Sequence, residues 1–426
     1  MTSNSTYLGG ERKKGAYLIF LLSASFYLYE FILQVAPSVM SGPMMRTFNV
    51  SAEGFGVISA FYFYAYAPMQ LPAGLLFDRY GPRKLMSLAL VLCALGSFFF
   101  ASTESVVTAC IGRFLIGIAS AFSFIGVLVL ISRWFPAKNF AVLAGVAQAM
   151  SSIGAISGEV PLAALTDAVG WRSASFILSG VGLLLGILLW SFIRDFPDRT
   201  TQTKPTTKLK EELQRLKEVC KQPHTWIIGG YAVTIWTPIA VFAALWGVQF
   251  LAEKYHVSVV VASSMCSMIW IGVGVGSPAF GWLSDRVCNR RFVLGLSSAF
   301  GFIATIILLY APNVSMTEMY FVLFLFGMGS SGQAVSFAVV SENNPLRLVG
   351  TASGFNNLCV LIGGAVFQPL VGVMLHRSTD WRLVDSIPVY NIDAYQKSLL
   401  VLPVCYLISL ILVMFLLKES HPGRRK

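Results

Sequence analysis

Long apolar runs separated by short polar breaks dominate the chain. Twelve runs can be laid down, at about 17–38, 53–77, 83–102, 106–132, 140–164, 174–193, 225–250, 258–283, 291–311, 318–341, 349–375 and 396–418. Each approaches the roughly 20 residues that a helix needs to cross a bilayer core of about 30 Å. The runs are continuous, not alternating, so the strands of a membrane barrel are excluded. Backbone polar groups in lipid must be satisfied within each segment, so each run is predicted as a helix. The expected fold class is an all-α membrane protein with twelve transmembrane helices, spans 1 to 12, in two pseudo-symmetric six-helix bundles.

The longest polar stretch lies between spans 6 and 7. "RDFPDRTTQTKPTTK" has no apolar period, whereas "LKEELQRLKEVCK" places Leu209, Leu213, Leu216 and Val219 at helical spacing. The second piece is predicted as a short amphipathic helix, either a solvated connector or a segment lying on the membrane surface. The expected organisation is a six-helix bundle at 1–193, a cytoplasmic linker at 194–224, and a second six-helix bundle at 225–426.

Composition agrees with this pattern. The chain is 56% hydrophobic and 12% charged, about half the charge density of soluble proteins. A net charge of +11 could suit nucleic acid, but its distribution argues otherwise. With the termini placed inside, 24 of the 31 Lys and Arg fall in cytoplasmic loops and tails, 6 fall on the opposite face and one, Arg113, falls within a span. This positive-inside bias puts both termini in the cytoplasm of a multi-pass protein of the cell inner (plasma) membrane. The seven Cys include no C-x-x-C pair and the four His lie in loops or tails, so neither a metal nor another cofactor is expected. No Walker loop is present, which excludes direct ATP drive. Gly272, Gly274 and Gly276 read as a helix-packing face, not a phosphate loop. Span 1 is too long for a signal peptide's apolar core and carries Glu30, so cleavage is not expected.

"GLLFDRYGPRK" (Gly74 to Lys84) falls between spans 2 and 3, and a weaker copy, "GWLSDRVCNRR" (Gly281 to Arg291), falls between spans 8 and 9. A motif recurring at the half-chain offset marks duplicated six-helix units, a transporter design with its site at their interface. Gly74 and Gly281 are expected to allow close helix approach. Asp78 and Asp285, with Arg79, Arg83 and Arg286, are expected to latch the two halves on the cytoplasmic face, by ion pairs or against a helix N-terminus. The first copy resembles the signature loop of the major facilitator superfamily, with Gly74, Leu76, Asp78, Arg79, Gly81, Arg83 and Lys84 in place and Pro82 as a variant. The second copy lacks the second Gly. "GRFLIGIASA" resembles that family's second signature, through Arg113 and Gly117. "YEFILQVAPSVM" and "FYFYAYAPMQLPAGLLFDRYGPRKLM" also resemble nutrient permeases of intracellular Gram-negative bacteria, including phagosomal amino-acid transporters.

Charge inside a bilayer costs about 2.5–3.5 kcal/mol at a helix centre, so Glu30, Arg113 and Glu159 are functional candidates. Glu30 lies seven residues before Pro37 and Arg113 seven residues after Val106, so each is expected about 10 Å from the outer end of its helix. The two meet at one level, with Gln34 one turn from Glu30. The resemblance implies that helices 1, 4, 7 and 10 line a central cavity. "GAISGEVP" puts Glu159 where antiporters of that family carry Pro, which speaks against drug export. The candidate substrate residues are Glu30, Gln34, Tyr62, Tyr66, Arg113, Trp236, Gln333 and Asn357, and the proton-coupling candidates are Glu30 and Glu159. The competing reading makes Glu30 and Arg113 a structural pair.

An acid and a base at one level suit a zwitterion. The expected function is therefore alternating-access, proton-coupled uptake of an amino acid or small peptide by a monomer, without enzymatic activity. The expected partners are the small-molecule substrate, the proton and the lipid bilayer, with no nucleic acid. The alternatives left open are a nucleoside, an organic anion or carboxylate siderophore, less readily drug export, and a receptor that binds without flux.

Overall fold

The computed structural model describes residues 10–136, 139–196, 209–378, 381–384 and 387–420. Span 1 is one helix, Gly10–Phe48, with Pro37 and Pro43 inside it. Spans 2 and 3 are Ala52–Tyr80 and Pro82–Ser102. Span 4 is two pieces, Val106–Ser120 and Ser123–Trp134. Spans 5 and 6 are Phe140–Val169 and Trp171–Phe192. Span 7 runs through Pro223–Pro238, a π-helical stretch Ile239–Trp246, and Gly247–Tyr255. Spans 8 and 9 are Val259–Val287 and Arg290–Tyr310. Span 10 is again two pieces, Met316–Ser330 and Gly332–Asn343. Span 11 is Val349–Arg377, and span 12 comprises Ile392–Ser398, Val401–Ile411 and a π turn Leu412–Leu416. Ten of these spans are apolar and long enough to cross a membrane on composition alone. Spans 2 and 5 are as long, at 29 and 30 residues, but carry more Tyr, Pro, Gln and acidic side chains. The twelve helices form two six-helix bundles.

The breaks in spans 4 and 10 are equivalent. In span 4, Ser120 Oγ donates to Ile116 O and Ser123 Oγ to Ser120 O, on either side of the turn at Ala121–Phe122. In span 10, Ser331 Oγ donates to Gly327 O at 3.1 Å. Irregular backbone at membrane depth is tolerated where protein or a cavity surrounds it. Ser120, Ser123 and Ser331 are all buried.

Close approach explains much of the packing. A Cβ at Gly327 would run into Ile269 O, and one at Gly272 into Phe324 O, so spans 8 and 10 touch backbone to backbone. Gly276 packs on span 10 in the same way, against Ser331 and Met328, whereas Gly274 faces Ser152 of span 5, so the three glycines expected on one packing face divide between two neighbours. The bundles meet where span 2 runs along span 11 and span 5 along span 8. On the face opposite the termini, Gly56 lies against Gln368 O and Gly372 against Ala52 O. On the termini face, Gly74, Gly145, Gly281 and Gly350, at the ends of those same four spans, have nothing within 4 Å of a Cβ. The bundles are therefore closed on the far face and parted on the termini face. The close approach expected at Gly74 and Gly281 is absent in this conformation.

Two elements differ from the sequence reading. Between spans 11 and 12, strands Trp381–Val384 and Ile387–Tyr390 pair antiparallel, with Trp381 opposite Tyr390. The Tyr390 hydroxyl accepts a hydrogen bond from Ala52 N at 3.2 Å, capping span 2 across the bundles. The helix Leu209–Cys220 is docked on the second bundle through buried Val219, with Glu218 paired to Arg347 at 2.8 Å. Residues 197–208 of the linker, and the tail cations Arg424, Arg425 and Lys426, lie outside the described residues.

The turns after spans 2 and 8 repeat one design. Gly81 takes a left-handed φ of 76°, and Cys288 holds the same place in the second copy at 52°. Asp195, beyond span 6, accepts from Arg83 N at 2.8 Å. Glu419, beyond span 12, accepts from Arg290 N and Arg291 N at 3.0 Å each. In both halves a carboxylate from the last span's exit caps the start of the third helix, where free N–H groups and the helix dipole favour negative charge. A Cβ at Gly81 would also meet the Asp195 carboxyl at 2.6 Å. With ψ of 156°, Gly81 lies in a region that is essentially glycine-only, and it costs another residue about 1–3 kcal/mol. Gly81→Ala is therefore expected to lower stability by at least that amount, and Cys288→Gly to leave it unchanged or raise it, in thermal unfolding of the detergent-solubilised chain.

Candidate functional site

The structure brings four of the expected substrate residues together at the centre of the first bundle. Glu30 lies near the middle of span 1 and is fully buried. This corrects the depth expected from the sequence: the helix does not stop near Pro37 but continues to Phe48. Tyr62 comes from span 2 and donates its hydroxyl to Glu30 Oε1. Arg113, 3% exposed, comes from span 4. Its NH1 donates to Leu33 O at 2.8 Å, and its guanidinium lies over the Tyr62 ring at 5.0 Å. Tyr66 packs edge-on against Tyr62 at 5.4 Å. Gly117, one turn from Arg113, brings span 4 against Tyr62 O, so the family signature sets the approach that puts arginine over tyrosine.

Among the described residues no ion pair joins Glu30 to Arg113. Tyr62 stands between them, its hydroxyl on one and its ring face on the other. Glu30 Oε2 and Arg113 Nε have no hydrogen-bond partner although both are buried. Such atoms are costly to leave unmet, and they are one acceptor and one donor in a single cluster. Gln34 is buried on the next turn of span 1.

The expected residues of the second bundle are not joined to this cluster by hydrogen bond or ring contact. Trp236 is buried, and Gln333 and Asn357 are half-buried. The neighbouring Asn356 is the more enclosed amide: its Nδ2 donates to Ser336 Oγ at 3.0 Å and its Oδ1 is unpartnered.

Glu159 is fully buried and lies ten residues before the end of span 5. It forms a separate group. Ser38 Oγ donates to Glu159 Oε1 at 3.4 Å, while Gln249 of span 7 donates to Ser38 O at 2.5 Å and to Ser41 Oγ. Sequence reasoning passed over Gln249 and Ser38. Single amides and hydroxyls in apolar helices are too numerous to rank until the fold pairs them.

The contacts described here at the duplicated motif lie within one bundle or the other. In the second copy Arg290 NH1 pairs with Asp285 Oδ1 at 2.6 Å and its NH2 with Glu342 Oε1 at 2.7 Å, and Ser420 Oγ donates to Glu342. In the first copy Asp78 lies near Arg133, and Arg83 donates to Trp190 O and lies over the Trp190 ring at 4.6 Å. Arg79 lies over the ring of Tyr80, and Arg286 over that of Trp282. With the termini face parted, the charges turn inward to their own bundles.

Comparison with known proteins agrees with the architecture. The sequence model of the Major Facilitator Superfamily matches residues 18–367 and 239–426. The chain belongs to the major facilitator superfamily. It is a multi-pass secondary transporter of that superfamily, whose members are not enzymes. It is similar to the hexuronate transporter of Bacillus subtilis (strain 168), with 25% identity covering 84% of this chain and 87% of the relative. A second relative is the probable galactarate/D-glucarate transporter of Escherichia coli (strain K12), with 22% identity over 86% and 90% of the two chains. Among solved structures, a bacterial homolog of the human lysosomal transporter Spinster, inward-facing and unoccupied, superposes with a TM-score of 0.75 at 17% identity, over 96% and 97% of the chains.

Removing the Tyr62 hydroxyl would strip Glu30 of its donor and keep the ring under Arg113. Tyr62→Phe is expected to cost about 1–3 kcal/mol, the range for a buried hydrogen bond to a charged group. The check is a lowered unfolding midpoint in detergent with the helical content unchanged.

Proposed function

We propose that the chain imports a small organic anion bearing a carboxylate and hydroxyl groups, of the sugar-acid kind, together with protons. The observation that carries this reading is Arg113. It is a buried guanidinium at the centre of a bundle, with one arm on a backbone carbonyl, an unpartnered Nε, and no carboxylate of its own. Its planar fork suits bidentate capture of a carboxylate. The substrates named for the two sequence relatives, hexuronate and galactarate or D-glucarate, are acids of this kind. Glu30, beside the captured anion, is the group we assign to proton exchange: a proton there removes the like charge facing the incoming carboxylate.

The amino-acid or peptide reading drawn from the sequence needed Glu30 free to receive an ammonium group. The Tyr62 hydroxyl already occupies one of its oxygens, which favours the anion. By the positive-inside bias, the termini face is cytoplasmic. The conformation is then closed outward and open inward, in an inner membrane.

The test is counterflow in proteoliposomes preloaded with hexuronates, aldarates, amino acids or dipeptides. Exchange with the sugar acids is expected, abolished in Arg113→Ala and reduced about tenfold or more in Arg113→Lys, which keeps the charge and loses the fork. Exchange confined to amino acids or dipeptides would overturn the reading. Binding of a sugar acid without flux would point to a receptor.

A further inference from the structure

Glu159 has an environment unlike that of Glu30. It lies in the seam between the bundles, where span 5 meets spans 1 and 8. Its Oε1 accepts one long hydrogen bond from Ser38, and its Oε2 has no partner. The Trp270 indole of span 8 faces the carboxyl without completing a hydrogen bond, and Phe31 of span 1 packs edge-on to that indole at 5.9 Å. The titratable group turned toward it from span 8 is Cys266, and span 1 presents none. Spans 4 and 6, which also pack on span 5, turn no charged group toward it among the described residues. Gln249 of span 7 closes over the same place through Ser38 and Ser41.

The carboxyl is thus sealed by both bundles with no cation in reach. A carboxylate enclosed in this way costs several kcal/mol, whereas the neutral acid costs far less and brings an O–H donor. Opening the seam would let water reach the group, and water supports the charged form. The cluster lies on the face opposite the termini, so the seam is the outer gate of the transporter proposed above.

We propose that Glu159 is a proton-binding site of the outer gate, distinct from the central anion site: the gate closes over it when it is protonated and stands open when it is charged. The proton enters and leaves from the outer side, so it sets the gate's equilibrium and adds nothing to the proton count of transport, which the preceding section assigns to Glu30. The proposal departs from the coupling role expected for Glu159 from the sequence. The inference rests on that section only for its orientation.

Cys266 is a native reporter, fully buried beside Glu159 while the gate is shut. The experiment compares its alkylation by N-ethylmaleimide, read by peptide mass, in wild type and Glu159→Gln between about pH 6 and pH 9. The wild type is expected to react about tenfold or more faster at the alkaline end, relative to the variant. The variant should stay protected throughout, since a permanently neutral side chain keeps the gate shut. Cys93, buried within the first bundle, should remain unreactive in both proteins and reports intact folding. Equal Cys266 rates and profiles in the two proteins would overturn the proposal. Should Glu159→Gln expose Cys93 and so prove unfolded, wild type alone decides. Labelling of Glu159 by dicyclohexylcarbodiimide, which requires the protonated acid, is then expected at the acid end and lost at the alkaline end. Labelling that is absent or unchanged across the range sinks the idea. Neither readout uses substrate, so a failed counterflow assay would discard the anion reading and leave the gate standing.

Discussion

Everything at the centre of the first bundle depends on how one guanidinium is kept in a low-dielectric interior. Arg113 is not neutralised by the acid nearest to it. It is held by a carbonyl of span 1 and by the face of Tyr62. Both contacts are weaker than an ion pair and neither uses the full fork. A direct Glu30–Arg113 bridge would satisfy both charges and leave nothing for a ligand. Placing a tyrosine between them keeps the charges close enough to stabilise one another, yet leaves an acceptor on Glu30 and a donor on Arg113 unmet. Folding stability is given up at that point, which is where a transporter needs affinity.

The termini face shows the opposite policy. There the charged groups are paired, capped or stacked: Asp285 with Arg290 and Glu342, Asp195 on the start of span 3, Glu419 on the start of span 9. The two copies cap the third helix alike but turn into it by different backbone paths, ψ being 156° at Gly81 and 39° at Cys288. Gly81 becomes Cys288 at the left-handed position. Asp78 lies near Arg133, whereas Asp285 reaches Glu342, an acid, through Arg290. Once the third residue of the network changes sign, a bridging cation is required. The duplication is preserved in the capping carboxylate and the charge balance, not in residue identity or turn backbone.

That difference explains what the sequence could and could not disclose. Span count, helical class and the half-chain repeat follow from hydrophobic runs and a repeated motif, because lipid imposes one solution on the backbone. Glu30, Arg113 and Glu159 stood out because charges are scarce in such runs. Span ends were less legible. Pro37 was read as a stop, but a proline inside a packed membrane helix is tolerated when neighbours meet the freed carbonyl, and Glu30 therefore sits deeper than expected. Partnerships were the least legible. Gln249 with Ser38, Asn356 with Ser336, and Asp195 with Arg83 join residues more than a hundred positions apart, or on helices whose rotation no periodicity sets. The geometry between the acid and the base was hidden for the same reason: both charges were visible, but the tyrosine standing between them was not.

The two faces of the molecule are coupled by the same four helices. Spans 2, 5, 8 and 11 touch on the far face, through Gly56 and Gly372, and part on the termini face, where Gly74, Gly145, Gly281 and Gly350 have open space beside them. Small residues at both ends make sense only if each end is close-packed in turn, since an exposed glycine in a helix forgoes stability without a packing gain. The vacant glycines offer a contact surface to an alternate conformation, and reaching it would require the charges now paired within each bundle to be redirected. Such a redirection exchanges polar contacts of similar strength, so it demands little net free energy. The difference between the two states is left to be set by what occupies the centre and by the charge on the one carboxyl sealed into the far seam.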